Sequence, residues 1–149
     1  MDIRCAEASD CDDAASLWER CGLTRPWNDA RQDFHRALNG LASTVLLGVM
    51  EQQVVAAAMV GYDGHRGWIY YLAVDPAHRR RRLGERMVTA AEDWLRANGC
   101  VKSQLLVRPS NSEALGFYER LGYERSDVHV FARWLSTGEA SGTARGGGA

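Results

Sequence analysis

Lysine is almost absent from this 149-residue chain: Lys102 stands alone among 18 basic residues, and the rest are arginine. Nineteen acidic residues offset them, and a formal net charge of −1 excludes bulk electrostatic attraction to nucleic acid or membrane. Arginine for lysine, beside much alanine and glycine, reads as compositional bias, so one extra arginine carries little weight. Long apolar runs are missing too. The longest, VVAAAMVGY, falls far short of the roughly 20 apolar residues a membrane-spanning helix needs. Cys5, Cys11, Cys21 and Cys100 show neither CxxC nor Cys/His metal spacing, so no metal site is expected. Reduced thiols, two of them in apolar positions, fit a cytosolic protein. The opening DIRCAEA is charged where a secretory leader would be apolar, which predicts a cytoplasmic protein. No internal repeat is visible.

The segments present are strands and helices mixed along the chain. Ile3 to Glu7 alternates as a short strand, and Ser9 with Asp12 resembles a capping box before the apolar face Ala14, Leu17, Trp18 and Cys21. Pro26 breaks that helix, and Asp29 can cap a second one carrying Phe34, Ala37, Leu38 and Leu41. Three strand-like runs follow: TVLLGVM, VVAAAMVGY after a Glu51-Gln52-Gln53 turn, and GWIYYLAV after the glycine-rich DGHRG. From Leu83 the positions Met87, Ala90, Ala91, Trp94 and Leu95 recur at helical spacing up to Gly99. SQLLV is a short strand ended by Pro109. Ser110 and Glu113 predict a capping box for a helix that stops at Gly122, and YERSDVHVFARWL supplies strand material to close the sheet. Residues 1–135 form a single domain on this reading, and 136–149, without apolar periodicity, a disordered tail.

This order predicts an α/β fold. A crossover helix between GWIYYLAV and SQLLV makes those two strands parallel neighbours. Ligands of open α/β sheets favour the carboxyl ends of such strands, and the run DPAHRRRRLGERM lies there. Strand, tight loop and helix N-terminus present unpaired N–H groups and the positive end of a helix dipole, and Arg79, Arg80, Arg81 and Arg82 suit a polyanion such as a diphosphate. A solvated face is the bland alternative. A nucleic-acid contact would spread its basic residues over a surface with aromatics for stacking, whereas these four occupy about one turn between Asp75 and Glu85.

YYLAVDPAHRRRRLGERMV followed by NSEALGFYERLGYE resembles the GNAT superfamily of acyl-CoA-dependent N-acyltransferases over residues 2 to 134. LWERCGLTRPWND and GYDGHRG look like its YpeA-like branch. The resemblance implies a GNAT-like mixed central sheet with helices on both faces and splayed parallel strands at the cofactor site. It implies acetyl-CoA as acyl donor, a primary amine of a small molecule or peptide as acceptor, and no nucleic-acid or membrane partner for a monomer or homodimer. The family's phosphate loop, Arg/Gln-x-x-Gly-x-Gly/Ala, maps onto Arg79, Arg80, Arg81, Arg82, Leu83 and Gly84. Arg82 replaces the first glycine. If the backbone there is left-handed, a side chain costs about 1–2 kcal/mol; if it is right-handed, the guanidinium is free to add a phosphate contact.

By the same resemblance, main-chain groups of Leu72, Ala73 and Val74 pair with the pantetheine arm, and a strand N–H at Leu72 or Ala73 serves as oxyanion donor. Tyr118 occupies the general-acid position. It lies seven residues after Asn111, on the same helix face; the alternative is a half-buried aromatic. Asn111 either bonds the cofactor arm or caps its helix. The base is unassigned. GWIYYLAV carries no carboxylate, and Leu106 stands where the branch that acetylates ribosomal-protein N-termini has a Glu. Asp63 and His65 are candidates, but Asp63-Gly64 is also ordinary turn chemistry; a water relay from Tyr70 or Tyr71 stays open. Trp27 is either an acceptor wall or a packing anchor. Glu19 and Asp29 either attract a cationic amine or are solvated. A catalytically silent acyl-CoA-binding module is the competing function, and an arginine-mediated nucleic-acid binder a third.

Overall fold

A computed structural model describes residues 1–136 and falls into two compact units, Met1–Leu105 and a second beginning at Leu106. Apart from Ser136, the expected tail lies outside the described residues.

The first unit is built on a five-stranded sheet of order β1-β2-β3-β4-β5, with β1 Asp2–Cys5, β2 Ser43–Met50, β3 Gln53–Tyr62, β4 Gly67–Val74 and β5 Ser103–Gln104. The first four strands are antiparallel neighbours, and β5 runs parallel to β4, as the crossover predicts. Period-2 alternation sends Val45, Leu47 and Ala57 to one face, where α1 (Cys11–Arg20) and α2 (Ala30–Asn39) bury Leu17, Trp18 and Phe34. Leu46, Ala56 and Ala58 are buried on the other face, where α3 (Leu83–Ala97) packs on β2, β3 and β4 with Leu83, Met87, Val88, Ala91 and Leu95. Helices therefore cover both faces of a mixed sheet.

One irregularity shapes the site. Between Met59↔Tyr70 and Ala57↔Ala73 the register slips by one residue, so Tyr71 and Leu72 together oppose Ala58. Tyr71 is left-handed at φ 52°. The bulge reverses the strand's alternation. Ile69, before it, is buried; Tyr71, within it, and Ala73, after it, belong to the core under α1 and α2. On its other edge β4 pairs with β5 only at Gly67 and Trp68, so the two parallel strands part company before the bulge.

Local chemistry moves several boundaries. The first capping box is Glu7/Asp10, where Asp10 accepts the Glu7 N–H at 2.7 Å, and β1 correspondingly stops at Cys5. Asp29 caps α2 as expected, accepting from the N–H groups of Arg31 and Gln32, both at 3.1 Å. Leu41 lies beyond the end of α2 and is fully exposed. Of SQLLV only two residues pair. In the second unit α4 spans Ser112–Arg120, capped by Asn111 rather than Ser110: its Oδ1 accepts from Ala114 N–H at 3.1 Å. Gly122, at φ 89°, ends it as expected. The expected closing strand does not form: residues 123–136 carry none, and Val128, Val130, Phe131 and Leu135 are exposed. Alternation there breaks at Val130-Phe131, so no single strand face can collect these side chains.

Candidate functional site

The carboxyl end of β4 runs directly into the arginine loop. Asp75 opens a 3₁₀ turn, Pro76–His78, by accepting from Ala77 N–H at 2.9 Å, and it pairs with Arg20 of α1 at 2.9 Å. The Ala77 N–H, then the Arg20 guanidinium, hold the Asp75 carboxyl below its ordinary range. Arg79 reaches back to the Val74 carbonyl at 3.4 Å, which the Cys21 thiol also meets at 3.3 Å. Val74 O is thus already used within the chain, whereas Leu72 stands inside the bulge, outside the ladder to β3. Burial raises the Cys21 thiol above its ordinary value despite Arg79 beside it, so it stays protonated at neutral pH.

Arg80 and Arg82 are both left-handed, at φ 65° and φ 57°. Arg82 has ψ 22° and is the N-cap of α3, yet offers no side-chain cap. Left-handed residues turn successive N–H groups into one concavity, and the first turn of a helix has no intrahelical acceptors for its N–H groups. Arg80 and Arg81 are exposed with their charge available, whereas Arg82 forks onto Glu85, Nε to Oε2 at 2.7 Å and Nη2 to Oε1 at 2.9 Å. The left-handed alternative for Arg82 is the one the chain adopts, and its guanidinium faces a carboxylate of its own helix. Leu83, the first residue of α3, is buried against the sheet side of the helix, and Gly84 is half-buried.

The residues proposed for the acceptor side fall in two places. Asp63 is the hub of the β3–β4 turn: Oδ1 accepts from His65 N–H at 2.8 Å and Arg66 N–H at 2.7 Å, and Oδ2 from the Trp68 indole at 3.1 Å. The Arg66 and His65 N–H groups, then Trp68, lower its pKa to about 2. His65 is exposed in the same turn. Trp68 and Tyr70 share a strand face and stack at 6.2 Å; Tyr70 is 38% exposed, and burial, then the Asp63 charge, raises its hydroxyl pKa. Trp27, in the α1–α2 loop, has its indole nitrogen buried without a hydrogen-bond partner among the described residues.

Sequence reasoning missed Asp33 and Trp18 as neighbours of the bulge. The Tyr71 ring stacks on Trp18 at 4.3 Å, the Trp18 indole donates to the Tyr71 carbonyl at 2.9 Å, and the Tyr71 hydroxyl donates to Asp33 Oδ2 at 2.8 Å. Burial, then Asp33, raises the Tyr71 hydroxyl pKa well beyond that of a free phenol. Strand alternation points Tyr71 the wrong way for this contact, and only the bulge corrects it.

In the second unit, Asn111 and Tyr118 lie about two turns apart on α4. Tyr118 meets Phe117 and Tyr123 edge-on at 5.0 and 5.7 Å, and burial, then Tyr123, pushes its hydroxyl up to about 12. It is a protonated phenol at neutral pH. Asn111 uses its carbonyl oxygen as a cap and keeps its amide N–H groups for another partner. Among the described residues no cluster of three or more His, Cys, Asp or Glu is placed to hold a metal ion, and no helix is long and apolar enough to cross a membrane.

Several solved structures share this fold. An aminoglycoside acetyltransferase, AAC(6')-Iy, in complex with the bisubstrate analog CoA-S-monomethyl-acetylneamine, superposes with a TM-score of 0.77 at 17% identity, covering 91% of this chain and 98% of that one. The aminoglycoside antibiotic 6'-N-acetyltransferase AAC(6')-IG from Acinetobacter haemolyticus gives 0.74 at 21% identity, covering 91% and 100%. A putative acetyltransferase from Agrobacterium tumefaciens gives 0.77 at 19%, covering 90% and 100%. At such identities the likeness speaks for the fold. The family model described as Acetyltransferase (GNAT) family matches residues 10–123, well over half of the sequence, and the chain belongs to that family.

Proposed function

We propose that this chain transfers an acetyl group from acetyl-CoA directly to a primary amine of a small molecule or peptide. The observation that carries the reading is the end of β4: an edge unpaired by β5 after Trp68, a bulge at Tyr71-Leu72, and then the left-handed arginine loop at the bare N-terminus of α3. That donor set fits the donor's two chemical parts. Leu72 main-chain groups suit an extended amide arm, Ala73 turns its own toward Ala57 of β3, and Val74 contributes its N–H more readily than its occupied carbonyl. The exposed guanidinium groups of Arg80 and Arg81, with N–H groups from Arg82 to Gly84, suit a diphosphate. Arg79 reinforces the loop from behind.

The thioester supplies the activated acyl group, and the chain's residues have three tasks. The Leu72 N–H, outside the ladder to β3, donates to the carbonyl oxygen as negative charge develops there, whereas the Ala73 N–H faces Ala57. Tyr118, protonated by virtue of its high pKa, gives its proton to the departing thiolate. The acceptor nitrogen loses its protons to a group other than Asp63, whose oxygens are taken by three N–H donors and whose low pKa makes it a poor base. Asn111 offers amide N–H groups to the donor's arm. LWERCGLTRPWND and GYDGHRG support the YpeA-like branch as the finer placement, in a cytoplasmic monomer or homodimer, and the balanced charge supports a reading without a nucleic-acid or membrane partner.

A silent acyl-CoA-binding module is the second reading, favoured by Arg82 forked onto Glu85 and by the lack of a carboxylate on β4. Calorimetric titration of acetyl-CoA, with dephospho-CoA and short DNA as controls, followed by thiol release on a panel of primary amines, separates the two. Saturable one-to-one binding with thiol release matched by acetylated amine supports transfer. Binding without turnover on any amine supports the silent module, and no acetyl-CoA heat at several temperatures overturns both.

A further inference from the structure

Just before its bulge, β4 is aromatic on a stretch of the α1/α2 face that the helices do not cover. Register places Trp68 opposite Gly61 and Tyr70 opposite Met59, on the same face as Val45, Leu47 and Ala57. Those three are fully buried, whereas Tyr70 is exposed and Trp68 half-buried. Among the described residues Tyr70 is the only large apolar side chain of the sheet that is exposed. Single exposed aromatics are ordinary on protein surfaces, so exposure by itself assigns nothing.

The arrangement of the pair assigns more. The two rings lie nearly parallel, 15° between planes and 6.2 Å between centroids. The Trp68 indole is tied to Asp63 Oδ2 at 3.1 Å, and Asp63 is itself held by the N–H groups of His65 and Arg66. Trp68 therefore has a fixed orientation. Gly61 puts no side chain beside the indole, and among the described residues no strand pairs with Tyr70 on the other edge, because β5 stops pairing at Trp68. Trp and Tyr offer large contact areas with few rotatable bonds to freeze, and together they make an apolar shelf. The shelf ends two residues before Leu72, roughly 6 Å along the strand, whose N–H is the proposed oxyanion donor.

We propose that Trp68 and Tyr70 bind a ring carried by the acceptor, so that the amine acetylated here is attached to a ring through a short arm. This rests on the acetyltransferase reading and deepens it. The proposed function leaves the body of the acceptor open, and the shelf selects for that body rather than for the charge of its amine. A ring laid against both side chains sets its amine toward Leu72, at the carboxyl end of the shelf.

The test compares benzylamine and cyclohexylmethylamine with the open-chain heptan-1-amine on the full chain. In acetyl transfer by the wild type, kcat/KM should favour both ring amines by about 3- to 10-fold, the worth of an aromatic contact beyond its buried area. Trp68→Ala and Tyr70→Ala should each pull that ratio toward unity, and Trp68→Phe should keep most of it. Acetyl-CoA affinity, measured on every variant, checks that the fold survives the change. The indole ¹⁵N–¹H resonance of Trp68, identified by its loss in Trp68→Phe, should shift saturably with benzylamine and less with heptan-1-amine. A preference for benzylamine alone supports the shelf with an aromatic ring as its occupant. Equal Trp68 shifts with ring and open-chain amines, or a ring preference undiminished in both alanine variants, overturns the inference. Failure of the chain to bind acetyl-CoA overturns the acetyltransferase reading instead, while the Trp68 titration still decides whether the shelf holds a ring.

Discussion

At Arg82 a side chain stands where the family pattern has glycine, and the backbone is left-handed, a conformation that strains a residue with a Cβ. Arg82→Gly should raise stability, at about 2–4 °C in Tm per kcal/mol of strain removed, because the exposed fork to Glu85 that it sacrifices contributes little. Thermal denaturation of the two proteins checks this; an unchanged or lower Tm would mean that the left-handed residue is not strained. Asp63 is the clearest titration. Its folded pKa, about 2, lies below its unfolded value near 3.8, so it stabilises the fold above the unfolded pKa, and that contribution fades as pH falls through the folded one. Against Asp63→Asn, the wild type should lose its Tm advantage between about pH 4 and pH 2 and keep it unchanged above pH 5. Tyr118→Phe should leave acetyl-CoA binding intact and lower turnover by about 100-fold where chemistry limits the rate. Equal turnover would remove Tyr118 as the acid.

Among the elements, the helices were legible wherever a single side chain decided the boundary. Asp29 announces α2, and Gly99 and Gly122, both at positive φ, end α3 and α4. Boundaries that depended on a choice between neighbours were not: Asn111 and Ser110 are both good cap residues, and it is Asn111 that accepts from the Ala114 N–H. The strand after α3 looked like five residues and pairs over two, since apolar pattern records burial and not the divergence of two parallel strands. At the root of that pair Gly67 is demanded by packing: a Cβ there would lie 2.6 Å from Leu95 Cδ2 and 2.8 Å from Cys100 Sγ. Gly67→Ala should therefore destabilise the first unit by about 1–3 kcal/mol through overpacking, measured by urea unfolding followed by tryptophan fluorescence. A cost under half a kcal/mol would show that α3 yields easily.

At the scale of the whole molecule, the order of the elements through α4 and the place of the arginine loop before α3 were readable because each rests on local sequence: a strand, a crossover, four arginines beside a helix start. The contact among Asp33, Trp18 and Tyr71 was not, because these residues are brought together by a bulge that reverses the strand's alternation, and no periodicity announces it. The loop offers the sharper test of the assembled chain. A ligand that binds only the folded state adds RT ln(1 + [L]/Kd), about 2.7 kcal/mol at a hundredfold excess over Kd. For a chain of this length that is a rise of about 5–10 °C in Tm. Acetyl-CoA should produce it, and hydrogen exchange should slow most at Leu72 to Gly84, where bulge, loop and first helical turn expose the N–H groups that the ligand would occupy. If Tm rises while protection appears elsewhere, the arginine loop is a solvated face and the binding site lies outside it. Protection confined to Leu72–Gly84, lost on replacing Arg80 and Arg81 together by alanine, would tie the stabilisation to the geometry at the end of β4.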